Sequence, residues 1–412
     1  MEYRLKDIVS FKPGYAFKTA QMGEEGINLI KIKSLKNNII IFENNNTKVK
    51  ENESLKDYLI YKNDILMALT GDPVNKGSYE TWVGRTSRYM YDNCAYLNQR
   101  ICKLIPNEQI INKSYLYYWL IQHNKTYEIA SLCHGSANQA NISHKDIGEL
   151  RIDLPDLKLQ TKTANILDDI NKKIELNNQI NDNLLNLIQS LYIEKIKNNN
   201  DDIFEEKTLD EFCNIFTGKK NANASVDNGQ YKFFTCAPEP LNINTYIYDG
   251  PAIIVAGNGA YTGRTTFFNG KFDLYQRTYG ITTLEDNDYI YLLYAMVYND
   301  LQNDIMGGTH GSAIPYIVFN DIAKFKVKYN ENIFKTLSNQ IKSLLIKIKS
   351  NELENESLIQ LRDTLLPKLM NGEIDLDKVE IWLKGIYRYE EFVDRKWIKL
   401  NELWNQLFFN CK

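Results

Sequence analysis

The chain has 412 residues, of which 43% are hydrophobic and 25% charged, with a net charge of −3 at pH 7. That length allows two or three domains with cores of their own, and the composition is that of an ordinary soluble globular protein. The charge excludes a chain basic throughout, although a basic face can sit inside a near-neutral total.

Residues 1–155 are expected to form a mixed domain in which strands dominate. Residues 27–32 alternate as a strand does, as do residues 64–69 before the turn Gly71-Asp72-Pro73. Residues 114–122 carry an aromatic-rich helical pattern with Ser114 as its N-cap. Leu150 to Leu154 reads as a short strand ended by Pro155. From Leu159 to Ile196 there is no Gly or Pro. Ile166, Ile170, Ile174, Ile180, Leu184, Leu187, Ile188 and Leu191 recur there mostly at gaps of three, four or seven. This predicts a long amphipathic helix, a rod of about 55 Å.

Asn198-Asn199-Asn200-Asp201-Asp202 reads as a polar linker. A second mixed domain follows, with strands at 252–256 and 316–319. A second long helix then runs from Phe334 to Met370 on Leu337, Ile341, Leu344, Ile348, Leu358, Leu361, Leu365 and Leu369. Each rod has a polar middle, Asn177, Asn178 and Asn181 in one and Asn351, Glu352 and Asn355 in the other; these are a register device or a place where the rods meet solvent or a partner. The expected class is α+β: two mixed, strand-dominated domains at 1–155 and 201–332, long helices at 156–200 and 333–375, and a tail at 376–412. Two apolar-striped rods of matched length most simply pair with each other. An antiparallel coiled coil would make the chain pseudo-two-fold symmetric.

The chain repeats itself. Leu5-Lys6-Asp7-Ile8 followed by Gly14 returns as Leu209-Asp210-Glu211-Phe212 followed by Gly218. Leu97-Asn98-Gln99-Arg100 returns as Leu274-Tyr275-Gln276-Arg277, Gly135-Ser136-Ala137 as Gly311-Ser312-Ala313, and Asp146-Ile147 as Asp321-Ile322. The order is kept while the offset falls from 204 (Leu5 to Leu209) to 175 (Asp146 to Asp321). Copies this long are modules of domain size, since solenoid periods run roughly 20–50 residues. One scaffold with two fillings suggests two specificities.

Several enzyme classes lack their signatures. The six cysteines show no CxxC spacing, and the four histidines do not pair with them as zinc ligands would; free buried thiols in a reducing compartment are expected. Gly257-Asn258-Gly259 and Gly307-Gly308 read as turns, and no Walker A string, HExxH or paired-carboxylate spacing is present. The start Met1-Glu2-Tyr3-Arg4 has no apolar signal segment, and no window reaches the roughly 20 apolar residues of a membrane span. A cytoplasmic protein without a membrane partner is expected.

In these strings the chain resembles the specificity subunit of type I restriction–modification systems over roughly residues 3–380. Leu5 to Ile8 with Gly14 is similar to the opening of a target recognition domain. Residues 135–142, Gly-Ser-Ala-Asn-Gln-Ala-Asn-Ile, resemble a family segment of the form G-(S/T)-x-Q-xx-I. Leu154-Pro155 with Gln160 resembles the start of its conserved helix, although Leu159 stands where the family has Glu. Residues 366–374 are similar to the family's usual ending, beyond which this chain continues. The resemblance implies a non-catalytic reader of double-stranded DNA, each domain taking half of a split target. Two modification subunits, S-adenosylmethionine-dependent adenine methyltransferases, would dock on the rods, with restriction (translocase) subunits as possible further partners. S-adenosylmethionine, ATP and Mg are then expected on those partners and none on this chain. Gln160, Ile166, Ile170, Leu184, Leu344, Leu361 and Leu365 are the expected partner-binding residues.

DNA contacts are sought among Arg, Lys, Asn and Gln, because these can bond base edges bidentately or neutralise phosphates. The candidates in the first domain are Lys12, Lys18, Lys76, Arg85, Arg88, Gln99, Arg100, Asn138 and Gln139. In the second they are Lys219, Lys220, Arg264, Gln276, Arg277 and His310. The plainer reading of each is a solvated side chain, and a pair repeated in both copies is equally a scaffold element. Tyrosine runs at 115–118 and 289–294 are stacking platforms or, on helices, packing. The competing functions are a coiled-coil-spaced binding or scaffold protein that does not act on DNA, and a nuclease with an unrecognised site.

Overall fold

A computed structural model describes residues 1–36, 38–42, 46–76, 78–134, 140–285, 288–301, 316–374 and 376. The chain divides into two units: Met1–Ile174 with the segment from Ser357 onward, and Glu175–Glu356.

In the first unit the apolar run Ile65–Ala68 becomes a strand with all four residues buried, as expected for a strand covered on both faces. It lies inside a six-stranded sheet ordered Val9–Pro13, Ile101–Pro106, Ile65–Ala68, Thr86–Arg88, Ile39–Ile40, Leu35–Lys36. A second sheet of five short strands contains Ile27–Ile30 and Ala95–Leu97, which pair in parallel. Glu2–Arg4 pairs antiparallel with Arg151–Asp153, so the first and last strands of this domain meet.

The second unit has one six-stranded sheet: Cys213–Thr217, Thr278–Thr283, Tyr248–Ala256, Thr265–Leu274, Tyr231–Phe234, Leu241–Ile243. Register makes the copies comparable. Met67 faces both Thr86 and Cys102 in one sheet, and Val255 faces both Thr265 and Tyr279 in the other. Glu205–Thr208 pairs with Lys326–Tyr329 just as the first unit's terminal strands pair.

The long helices run Leu157–Tyr192, continued by a π-helical turn Ile193–Lys197, and Glu331–Met370 with Pro367 inside it. Within the first unit Leu167 and Ile170 share a core with Leu358 and Leu365. Within the second, Ile188 shares one with Leu337, Ile341 and Ile348. The polar middle is a set of amide contacts: Asn177 Nδ2 donates to Asn355 Oδ1 at 2.9 Å, and Asn351 Nδ2 to Asn181 Oδ1 at 2.8 Å. Four residues forward on one helix is four back on the other, so the helices pass antiparallel there. Asn177 and Asn351 are each 1% exposed. The cost of burying their amides is offset by bonding them to each other.

Two local expectations change. The aromatic helix is Lys113–Leu120 and its cap is Asn112, whose Oδ1 accepts from Tyr115 N at 3.0 Å, rather than Ser114. Residues 316–319 do not form a strand. Tyr316 makes a single bridge to Asn258, and a helix starts at Phe319 because the Asp321 carboxylate accepts from Val318 N at 2.8 Å.

Candidate nucleic-acid interface

The repeated markers meet in space. In the first unit the chain leaves Val9–Pro13 at Gly14 and crosses the end of Ala95–Leu97, with Tyr15 N donating to Leu97 O and Gln99 N to Tyr15 O at 2.9 and 3.0 Å. A Cβ at Gly14 would lie 2.2 Å from Asn98 O. In the second unit the chain leaves Cys213–Thr217 at Gly218, where a Cβ would lie 1.7 Å from Leu274 O, and Gln276 N donates to Lys220 O at 2.9 Å. The glycine is required because two backbones touch where it sits. Lys220 occupies the place of Tyr15, both being bridged to the marker strand, so Lys219 is an extra residue.

Each crossing is closed by a tight turn. Ile101 N donates to Asn98 O at 3.1 Å, and Thr278 N to Tyr275 O at 2.9 Å. The tips are Gln99-Arg100 and Gln276-Arg277, all four exposed. The tip backbone is held from below: Arg100 O accepts from Leu69 N at 2.8 Å and Arg277 O from Gly257 N at 2.9 Å. Leu69 O and Gly257 O then each accept at 3.0 Å from the isoleucine that follows the third marker, Ile142 and Ile317. Gly257, Gln276, Arg277, Tyr279 and Ile317 border a hollow of about 260 Å³.

A further shared element was not among the markers. Gly84-Arg85-Thr86 and Gly263-Arg264-Thr265 occupy matching turns, with glycine φ of 79° and 82°. Arg85 donates to Ile32 O at 2.9 Å, Leu35 O at 3.4 Å, Thr81 O at 2.9 Å and Trp82 O at 3.1 Å. Arg264 donates to Pro238 O and Ala237 O. Burial pulls both guanidinium pKa values down. A three-residue identity 179 positions apart (Arg85 to Arg264) was the signal available in the sequence.

Of the expected DNA contacts, the structure gathers Gln99 with Arg100, and Lys219 and Lys220 with Gln276 and Arg277. Lys18 and Lys76 are exposed in loops. Lys12 is half-buried beside Asp57 at 3.3 Å. Four others are committed to internal partners. Arg85 and Arg264 are the carbonyl clasps just described. Lys220 bonds Thr245 Oγ1 and pairs at 2.6 Å with the buried carboxylate of Asp273. Arg88 is 5% exposed; it pairs with Asp168 at 2.6 Å and lies over the Tyr117 ring at 4.0 Å, so it cannot reach DNA. Asn138, Gln139 and His310 lie outside the described residues, as do the Gly-Ser-Ala markers and the glycines Gly307 and Gly308.

The expected partner-binding residues are likewise mostly internal. Gln160 is 1% exposed, its Oε1 accepting from Asn112 N at 2.9 Å and its Nε2 donating to Ile110 O and Pro155 O at 3.1 and 2.9 Å. Ile166, Ile170 and Leu365 are buried in the first core, with Leu361 packed against it; Leu184 and Leu344 pack against the second. Leu184, Leu344 and Leu361 remain only half-buried.

Tyr115, Tyr117 and Tyr118, and Tyr291 and Tyr294, are buried in cores and serve packing. Burial pushes the Tyr115 and Tyr117 hydroxyls up to about 12. Among the described residues five cysteines are free, Cys102 and Cys213 buried with burial pushing their thiols up to about 12, and Cys94, Cys133 and Cys236 half-buried. Among the described residues there is no group of three or more His, Cys, Asp or Glu side chains able to hold a metal ion. No described helix is long and apolar enough to cross a membrane.

The molecule is thus a duplicated α+β binding scaffold with long helices, presenting the same polar tip from two different fillings. The sequence model of the family described as type I restriction modification DNA specificity domain matches residues 1–186 and 202–358, and the chain belongs to that family. It is 35% identical over 175 residues to the EcoDI specificity subunit of Escherichia coli, spanning 40% of this chain and 37% of that protein. It is 23% identical over 320 residues to the MjaIX specificity subunit of Methanocaldococcus jannaschii, spanning 68% and 73%. The crystal structure of the type I restriction–modification S subunit from M. genitalium has the same fold, with a TM-score of 0.51 at 17% identity over 90% of this chain and 95% of that one.

Proposed function

We propose that the chain is the specificity subunit of a type I restriction–modification enzyme. Its domains, at about 1–155 and 201–332, each read one half of a bipartite DNA target. They position two adenine methyltransferase subunits, which bring S-adenosylmethionine. The observation that carries this reading is the Gln-Arg tip, built by the same crossing in both domains and exposed in both. Arginine bonds phosphate or guanine and glutamine bonds adenine, so such a tip suits duplex DNA. A tip common to two domains of different filling suits the backbone contacts that fix register, and the differing loops beside it suit base readout.

The test is methylome sequencing of the host with and without the gene. Loss of N6-methyladenine at one split motif on deletion is expected. Unchanged methylation from a strain in which the methyltransferase is active and expressed would overturn the reading.

A further inference from the structure

The Gly-Arg-Thr turns do more than close two strands. In each unit the arginine reaches away from its own turn to the loop that follows the parallel strand. That connection is 31–35 in the first unit, a helical turn Ile32–Ser34 running into the edge strand Leu35–Lys36, where Ile32 O and Leu35 O accept from Arg85, and 235–238 in the second, where Ala237 O and Pro238 O accept from Arg264. Each loop departs directly from the Gln-Arg turn: Asn98 N donates to Ile30 O at 3.2 Å and Tyr275 N to Phe234 O at 2.9 Å. The two loops therefore start at equivalent points beside the exposed tip and are held by equivalent arginines.

Their contents have nothing in common. The first reads Lys31-Ile32-Lys33-Ser34-Leu35-Lys36, and the second Thr235-Cys236-Ala237-Pro238-Glu239. The hydrogen bonds of the clasp go to backbone carbonyls, so they tolerate different loop side chains, since every residue supplies the same acceptor; Glu239 adds only a charge that favours the Arg264 cation. A planar guanidinium fork suits such multiple, oriented bonds, and an ammonium does not. Lys31 Nζ donates to Thr47 Oγ1 at 2.7 Å, while Lys33 and Lys36 are exposed; lysine donors match guanine acceptors, whereas a glutamate accepts from the cytosine amino group.

We propose that Arg85 and Arg264 are positioning residues, and that the loops they clasp, 31–36 and 235–239, are specificity-determining elements, each for the half-site its own domain reads. The inference rests on the reading of the chain as a bipartite DNA reader. It adds which loop discriminates and what holds that loop.

The experiment selects bound sequences from a random duplex pool with the complete methyltransferase complex carrying wild-type chain, R85K, R264K or E239Q. R264K should relax base preference about tenfold at one or more positions of one half-site and leave the other half unchanged, a factor equal to one well-made base contact. R85K should do the reverse, and E239Q should alter preference in the R264K half with the clasp intact. Equal weakening of both halves by each arginine variant would reduce them to fold supports and overturn the proposal, as would unchanged profiles. If R264K fails to assemble, E239Q decides by the same criterion. A wild-type complex that selects no split motif would overturn the underlying reading instead.

Discussion

Arg88 and Phe267 hold the same place in the two units. Arg88 faces Ile65 and Phe267 faces Ile253 in corresponding registers, three residues past the clasping arginine in each. Both lie against helix tyrosines. Phe267 packs on Tyr291 and Tyr294 at centroid distances of 5.3 and 5.4 Å. Arg88 stacks on Tyr117 at 4.0 Å and adds an ion pair to Asp168, which also accepts from Tyr118 Oη at 2.7 Å. One scaffold position is thus served by an aromatic ring in one unit and a paired guanidinium in the other. A positive charge at such a position therefore marks packing rather than a surface site.

The comparison can be broken most directly at Arg88. Arg88→Ala leaves Asp168 without its charged partner and should lower the first unit's stability by about 3 kcal/mol in chemical denaturation. Arg88→Phe combined with Asp168→Leu should recover most of that, since the second unit already uses this solution. A double variant as unstable as the alanine would mean the two sites are not interchangeable. The crossing glycines come next. Gly218→Ala meets Leu274 O and should cost about 2 kcal/mol or more, Gly14→Ala somewhat less, whereas Gly23, with nothing within 4 Å of a Cβ, should tolerate alanine. Thermal unfolding of the three variants tests that ranking.

Asp64 has no acidic counterpart in the second unit, where Ala252 precedes Ile253. Burial opposes its charge, but Lys103 at 2.5 Å, Tyr61 N at 2.9 Å and Lys113 at 2.9 Å outweigh burial and hold its pKa below the usual 3.8. A carboxylate depressed by folding contributes stability above its unfolded pKa and loses it as pH falls through the folded one. The stability gap between wild type and Asp64→Asn should be constant from about pH 5 to 8, on the order of 2 kcal/mol, and close below about pH 4. The smallest effect on folding is expected at the tips. Arg100→Ala and Arg277→Ala should each change stability by less than about 0.5 kcal/mol. Each should weaken DNA binding by the assembled complex across sequences and reduce the salt slope by about 1. An unchanged slope would remove the tips from the interface.

Much of this was legible in the sequence. The markers around Gly14, Gly218, Gln99 and Gln276 belong to one crossing in each unit, and the family they resemble is the one whose model matches the chain. Both long helices follow from uninterrupted apolar spacing, a local signal. The internal partners of Arg85, Arg88, Lys220 and Arg264 could not be read from the sequence. Whether a cation is exposed depends on partners far along the chain: Asp168 lies 80 residues from Arg88, and Asp273 lies 53 from Lys220. Composition carries no trace of that pairing. The Ser114 cap failed more locally, because Asn112 two residues earlier offers the same chemistry and wins by position.

The pairing of Glu2–Arg4 with Arg151–Asp153, and of Glu205–Thr208 with Lys326–Tyr329, brings the beginning and end of each domain side by side. A module closed in this way enters and leaves the chain through one small ribbon. Replacing it there by another of different length needs no rethreading of the helices, provided the newcomer repacks against the helix residues that share its core, such as Leu167, Ile170, Leu358 and Leu365. On the proposed reading of one half-target per domain, such an exchange would change a target in one step rather than by many point changes.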